Sequence, residues 1–350
     1  MKHRLKMGLR ELWARLLYHT GLGLLVDRLM PRRMTILTSH CVEDPRNAFL
    51  PADMKIREAR VRELLERFGR RYDWVPVGEG WERLQEGRGR SMVAWTMDDG
   101  YLDNRERLLP ILQEHGATAT VYLESRPLDG RSLNWTHKFF WLLGRLSHAE
   151  LVERFAARST DERAVSRLRE ALAAGGDLSY GLKKVLKYEA DQEALEEVMT
   201  AVFVEEGGDE AELCSGLYLS WEDARALRDG GVELGGHTIH HWVLSGLGPE
   251  GQRREIGDGR ARLEERLGPV VSFAYPFGRN WDYDDASREA VLAAGFTTAT
   301  TTHAGTNTRE TDPTRLARWM IEDSTPLHLL ACEICGGFEL LRRFGLDLSE

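Results

Sequence analysis

Thr96-Met97-Asp98-Asp99-Gly100-Tyr101-Leu102-Asp103-Asn104 is the stretch whose reading decides the fold. An apolar approach, Met92-Val93-Ala94-Trp95, runs directly into two adjacent carboxylates and a glycine. That order predicts a buried strand that stops at a turn and delivers both acids at its C-terminal end. In α/β folds this is the end where loops converge side chains on one point. Adjacent carboxylates repel, and they rarely both stay charged in such a place without a cation. The plainer reading is a turn carrying two solvated aspartates. What favours a site lies further along, at His237-Thr238-Ile239-His240-His241.

His237 and His241 stand four residues apart just past a predicted strand end. A helical turn there would project both imidazoles from one face at metal-ligand spacing. Combined with the strand-end aspartates, the pair suggests a two-histidine, one-carboxylate site with open positions for water and substrate. Thr238 is read as holding the loop through its backbone, and His240, between the two ligands, as structural.

A chain of 350 residues fits two domains or one large barrel. With 42% hydrophobic and 29% charged residues it can bury a substantial core. The net charge of −9 argues against nucleic acid as the main partner. Charge is unevenly placed, because residues 1–34 hold eight Lys/Arg against two acids. The segment Leu5 to Met30 reads as one or two amphipathic helices, with Leu9, Leu12, Trp13, Leu16 and Leu17 at helical spacing and a break at Gly21 and Gly23. Lys2, Arg4, Lys6, Arg10 and Arg15 lie among and before them. Such a segment either packs on the barrel or a dimer partner, or lies in the interface of an anionic membrane. The apolar run Gly21–Val26 is too short to span a bilayer, and no cleavage site follows it, so no secretory signal is expected. Four cysteines suggest a reducing cytoplasm. Cys332 and Cys335, in CxxC spacing without a second pair, read as structural.

Taken in order, the chain predicts a strand over Met34–His40, a helix over Lys55–Phe68, an extended segment at Tyr72–Pro76 and the strand into Asp98. A helix over Arg105–His115 then leads to a strand over Ala117–Leu123, a βαβ signature that implies a parallel sheet. Residues 130–215 read as an all-helical insertion, opening on the aromatic run Trp135–Trp141 that could line a cleft or pack in a core. The βα pattern resumes with a helix over Trp221–Asp229 and strands over Val232–Leu234, Val270–Gly278, Phe296–Thr301 and Trp319–Ile321, before a C-terminal helix from Pro326.

Several of these motifs resemble the polysaccharide deacetylases of the NodB-homology type, carbohydrate esterase family 4. Thr96–Gly100 looks like the family's T-F-D-D-G motif with Met97 in place of phenylalanine, and His237–His241 looks like its H-[ST]-x-x-H motif. Phe273-Ala274-Tyr275-Pro276-Phe277-Gly278 is similar to the third motif in its F-A-Y-P-[YF]-G form. The likeness covers residues 34–125 and 216–322. It implies an α/β fold, a distorted (β/α) barrel with about seven strands against the usual eight. The expected division is an N-terminal helical segment over 1–33, a barrel over 34–325 carrying the insertion, and a C-terminal helix over 326–350.

The resemblance also implies roles. Asp99, His237 and His241 are the expected ligands of a divalent metal, zinc or else cobalt, nickel or manganese, with Asp98 as general base. Phe277 is expected to offer a backbone N–H to the oxyanion, and Tyr101, Asn104, Tyr275, Pro276 and Trp135 to touch substrate. The common third motif carries an arginine that fixes the base. Ala274 stands there in this chain, and Arg318 is the candidate substitute. No Leu-His motif supplies the usual general acid, His328 lies in an apolar stretch, and His40 is the better candidate, with Ser39 in place of the tyrosine that precedes it in the subgroup. The expected activity is removal of an N-acyl group from a sugar of a polysaccharide, oligosaccharide or lipid-linked glycan, in the cytoplasm and at the inner membrane face through residues 1–30. The alternatives are a C–N hydrolase of small amides, formamides or imides, and a non-catalytic membrane-associated module for glycan assembly.

Overall fold

The computed structural model describes residues 2–348, and the side chains of Lys2 and Arg4, two of the basic residues noted above, lie outside the described set. In chain order the strands are β1 (Met34–Ser39), β2 (Cys41–Val42), β3 (Lys55–Ile56), β4 (Asp73–Trp74), β5 (Met92–Met97), β6 (Thr120–Leu123), β7 (Glu233–Gly236), β8 (Ser272–Ala274), β9 (Thr298–Thr300) and β10 (Arg318–Met320). Seven of them line up β10-β1-β5-β6-β7-β8-β9, every pair parallel, with β4 beside β5 and β2 paired to β3 apart from the ring. Between β9 and β10 the ring is drawn together by a single parallel bridge, Thr300 to Leu316. The result is a nearly closed, seven-stranded parallel barrel with helices outside. All six residues of β1 and of β5 are buried, as parallel strands covered on both faces require.

Register aligns the strand ends. Ser39 lies opposite Met97, Leu123 opposite Gly236, and Gly236 opposite Phe273. The residues that follow these positions, among them His40, Asp98, Glu124 and His237, therefore leave the sheet side by side at one rim.

Several boundaries differ from the sequence reading for local reasons. Lys55 and Ile56 pair with β2, and the helix starts at Glu58, after the Asp323 carboxylate has accepted the Arg57 N–H at 2.9 Å. Asn104–Leu108 is a π-turn ahead of the helix Leu109–Glu114. Pro110, in that helix's first turn, has no N–H to continue an α ladder backwards. The C-terminal region is two helices, Leu327–Ile334 and Gly337–Arg343, separated by Gly336 at φ 79°.

Between β6 and β7 stand six helices, from Trp135–Leu143 to Glu210–Leu217, ahead of Trp221–Asp229. Asn134, Ser147, Asp161, Asp177, Asp191 and Asp209 cap them one after another by accepting backbone N–H bonds. Leu151, Phe155, Leu182, Met199 and Phe203 give this group a core of its own. Lys138, buried, ties it together through Glu196 at 2.7 Å and Glu210 at 2.8 Å.

The N-terminal segment forms two helices, Lys2–Thr20 and Leu22–Leu29, broken at Gly21 with φ 77°. They pack on the C-terminal helices through Ala14, Leu17, Val26 and Met30, with Trp13 Nε1 donating to the Gly337 carbonyl at 3.0 Å. Leu5, Leu9, Leu12 and Leu16, at helical spacing, face solvent, as do Leu22, Leu25 and Leu29. Among the described residues no helix is long and apolar enough to cross a membrane. All four cysteines are free and buried.

Tyr122 lies over its cross-strand partner Gly235, so a Cβ at 235 would overlap the Tyr122 ring and sit 2.9 Å from the Ser272 carbonyl oxygen. Overpacking of this kind costs about 1–3 kcal/mol. Gly235→Ala should lower the urea midpoint accordingly, whereas a midpoint equal to wild type would show that the ring can move away.

Candidate active site

Asp99, His237 and His241 converge at the rim, all three buried, with one ligand atom from each lying within 4.8 Å of the others. Asp99 Oδ1 is 3.4 Å from His237 Nε2 and 3.4 Å from His241 Nε2. That is longer than the 2.7–3.2 Å range of an N–H···O bond, and Asp99 Oδ1 has no hydrogen-bond partner despite its burial. Ligand atoms held at about 2.1 Å in a tetrahedral site lie roughly 3.4 Å from each other. The donor set and its spacing thus fit a divalent metal. His237 Nδ1 faces the Ala274 carbonyl at 2.7 Å, and because a carbonyl only accepts, the proton sits on Nδ1 and the Nε2 lone pair is left facing Asp99.

Unusual backbone builds this arrangement. Among the described residues, the non-glycine positions with positive φ are Asp99 (73°), Thr238 (66°), His241 (58°) and Phe277 (62°), all of them here. The His237–His241 segment is therefore not the helical turn its spacing suggests. It is a loop in which Thr238 Oγ1 accepts the His241 N–H at 3.0 Å. Glu255 draws the loop inward by accepting the N–H groups of Ile239 and His240 and meeting His240 Nδ1 at 2.6 Å. His240 thus points away from the other two histidines. Phe277 sits at the centre of a three-residue turn closed by Gly278 N–H to the Pro276 carbonyl at 2.7 Å, a strained γ-turn. Its ring packs 4.6 Å from that of His241.

Asp98 takes the opposite direction. Arg318 grips it with two parallel bonds, Nη1 to Oδ1 at 2.7 Å and Nη2 to Oδ2 at 2.9 Å, while Arg318 Nε donates to the Thr301 carbonyl at 2.8 Å. Burial alone would raise the Asp98 pKa. The Arg318 charge and its hydrogen bonds, aided by His237 and His40, hold it below the usual carboxylate range instead. Arg318 is thus fully buried and bonded to Asp98, not on the surface. His40, half-buried at the end of β1, lies within electrostatic reach of both aspartates, and its carbonyl accepts from Asn104 Nδ2 at 3.3 Å. His328 is on the outside of the barrel against Glu11.

The residues expected to touch substrate are placed differently. Trp135, Tyr101, Asn104 and Tyr275 are fully buried. Trp135 packs inside the helical group, edge-on to Phe139. Asn104 ties Asp103 to the His40 carbonyl, and Tyr275 stacks on Tyr283 and donates to the Thr314 carbonyl. Pro276, also buried, contributes its carbonyl to the γ-turn. These five are internal supports, because aromatic and amide side chains beside a catalytic motif serve packing and loop closure as readily as contact.

Tyr101 leads to a feature the sequence did not announce. Its hydroxyl donates to Asp99 Oδ2 at 3.0 Å, its oxygen meets His137 Nε2, and His137 Nδ1 accepts from the Tyr218 hydroxyl at 2.5 Å. The relay Tyr218–His137–Tyr101–Asp99 runs from the helical group to the carboxylate of the metal-fitting set with every donor matched. Burial pushes His137 down to about 4, so the ring is neutral and keeps one donor and one acceptor. Glu124, just beyond β6, accepts from Asn134 at 2.9 Å, and burial followed by the Asp99 charge raises its pKa well above the usual carboxylate range.

Comparison with known proteins bears on the fold and the family. Residues 193–299 match the family model described as polysaccharide deacetylase. The Bacillus subtilis polysaccharide-deacetylase relative YxkH is 27% identical over 94 residues, 27% of this chain and about a third (33%) of the relative's length. The Streptococcus pyogenes deacetylase PplD, solved in complex with acetate, superposes with a TM-score of 0.57 at 16% identity over 87% of this chain and 99% of that one. A de-N-acetylase from Aggregatibacter actinomycetemcomitans gives 0.54 at 13% identity, covering 85% and 98%. IcaB from Ammonifex degensii gives 0.52 at 16%, covering 87% and 98%. At such identities the structures speak for the fold. Together with the family match they support a NodB-like polysaccharide-deacetylase domain.

Outer partners of metal ligands typically contribute 10–100-fold in metal affinity, so Tyr101→Phe and His137→Phe should each weaken zinc binding on the order of tenfold or more. Chelator competition reads this directly, and unchanged affinity in both variants would reduce the relay to packing.

Proposed function

We propose that the protein is a metal-dependent N-deacetylase that removes an N-acetyl or related N-acyl group from a sugar of a polysaccharide, oligosaccharide or lipid-linked glycan. The observation that carries this reading is a metal-fitting set of Asp99, His237 and His241 beside a second carboxylate, Asp98, kept off the set and ionised by Arg318. The family match includes both histidines and the Phe273–Gly278 segment. We place the chain in the subgroup with the FAYPFG form of that segment. In the division we favour, residues 1–33 are a separate helical segment, 34–325 the catalytic barrel with its insertion, and 326–350 a helical end.

A divalent metal, zinc or another such as cobalt, nickel or manganese, supplies Lewis acidity that brings the pKa of water towards about 7. Asp98 accepts the proton that water gives up as its oxygen bonds to the amide carbonyl carbon. Arg318 keeps the carboxylate oriented and charged throughout. The Phe277 N–H is our candidate donor to the oxyanion, at a turn whose closure fixes its direction. His40 hands its proton to the leaving nitrogen as the C–N bond breaks, so acetate and a free amine depart.

We also assign the N-terminal helices to a lipid surface, which suits a lipid-linked substrate and a cytoplasmic protein held at the inner membrane face. Supporting this are the exposed leucines of both helices and the exposed Arg15, Arg28 and Arg32 that accompany them.

Purified wild type should carry one metal and release acetate from N-acetylated sugars. Asp98→Asn should keep the metal and lose on the order of 10²-fold or more in turnover, and His237→Ala should lose both. A metal-free wild type under every loading condition would refute the assignment. Vesicles containing anionic lipid should retain the wild type at low salt and release a Leu5→Ser, Leu9→Ser, Leu12→Ser variant, with equal retention counting against membrane contact.

A further inference from the structure

The helix Leu178–Glu189 meets the Phe277 turn through Lys187. Near its end, Lys187 pairs with Asp282 at 3.0 Å and lies 3.6 Å from the centre of the Phe277 ring, which itself packs on His241. Tyr188 adds a bond to Asp282 at 2.9 Å, and Trp281 Nε1 donates to the Tyr188 hydroxyl at 2.8 Å. Lys183 is one turn earlier on the same helical face as Lys187. Lys183 is half-buried, with its ammonium 4.8 Å from the centre of the Phe140 ring.

Lys183 differs from the other lysines enclosed here. Lys187 has Asp282, and Lys138 has Glu196 and Glu210. Among the described residues no carboxylate forms an ion pair with Lys183. The acids whose fields reach it are Asp53, exposed at the rim, and Asp99. Its own charge is felt in turn at His137 and His241, and Arg279, exposed on the loop after β8, is the cation it feels. With the charge of Asp99 shared with a divalent metal, the exposed Asp53 would be left as the acid facing Lys183 and Arg279. Enclosing an ammonium beside a cation is costly unless an anion joins them.

We propose that Lys183, with Arg279 at the rim, forms a subsite beside the metal ligands for an anionic oxygen group, a carboxylate or a phosphate, carried by the N-acylated sugar. The exposed Trp281, beside the Arg279 guanidinium and bonded to Tyr188 of the same helix, offers an aromatic face that can stack on a sugar ring. The inference rests on the deacetylase reading and narrows it, since a neutral sugar would leave the subsite unfilled.

The test compares kcat/KM of the metal-loaded protein on N-acetylglucosamine oligosaccharides, N-acetylglucosamine 1-phosphate and an N-acetylated glucosaminuronic acid. Wild type should prefer one of the two anionic substrates, which tells phosphate from carboxylate. Lys183→Met should reduce the anionic-to-neutral ratio on the order of tenfold or more, Lys183→Arg should largely restore it, and Lys184→Met, on the exposed neighbour, should leave it unchanged. No anionic preference in wild type, or equal losses on neutral and anionic substrates in Lys183→Met, would overturn the proposal. If no acetamido sugar is turned over, the deacetylase reading fails separately. Calorimetry with inorganic phosphate and acetate then decides the subsite: weaker binding to Lys183→Met supports it and equal binding rejects it.

Discussion

Two aspartates adjacent in sequence cannot occupy one buried place as equal charges. The barrel separates them. Asp98 continues the line of β5 and reaches Arg318, two strands away across β1, whereas Asp99, at φ 73°, turns towards the histidines that follow β7. Each carboxylate thereby gains its own partners, an arginine for one and, for the other, two imidazoles that complete a metal-fitting set. The rim loops follow from this division, since the positive-φ residues gathered there are the bends that send neighbouring side chains to different partners.

The helical group between β6 and β7 is joined to that division and does not merely sit above it. His137 reaches Asp99 through Tyr101, and Lys187 lies against the ring of Phe277. The relay needs both tyrosines and a neutral ring between them. A helical group with its own core can hold such an arrangement rigid while the loops of the barrel bend sharply.

The strand into Asp98, the parallel order and the convergence of Asp99, His237 and His241 were legible because apolar runs ending in clustered polar residues at strand ends have few other readings. Arg318 was legible as an answer to a gap, the alanine at 274. Spacing misled at His237–His241: four residues apart suits a helix, yet Glu255 and Thr238 provide bonds that favour a loop. Trp135 and Tyr275 misled because an aromatic beside a motif looks the same in sequence whether it faces a cleft or a core. His137 gave no signal, since its role depends on Tyr101 and Tyr218, which are remote from it along the chain. The outward face of Leu5, Leu9 and Leu12 was equally hidden, because periodicity marks an apolar stripe without saying what covers it.

The seam of the barrel has a consequence for how the molecule breathes. Between β9 and β10 one bridge stands in for a full strand pairing, and Arg318 itself stitches across it, its backbone N–H to the His303 carbonyl and its Nε to the Thr301 carbonyl. The guanidinium that keeps Asp98 ionised is thus also a fastener of the ring. Fluctuations that part a thinly bonded edge are the cheapest local openings a fold has. Here each such opening would also slacken the grip on Asp98, so the proton affinity of that carboxylate rises as the mechanical closure of the barrel loosens.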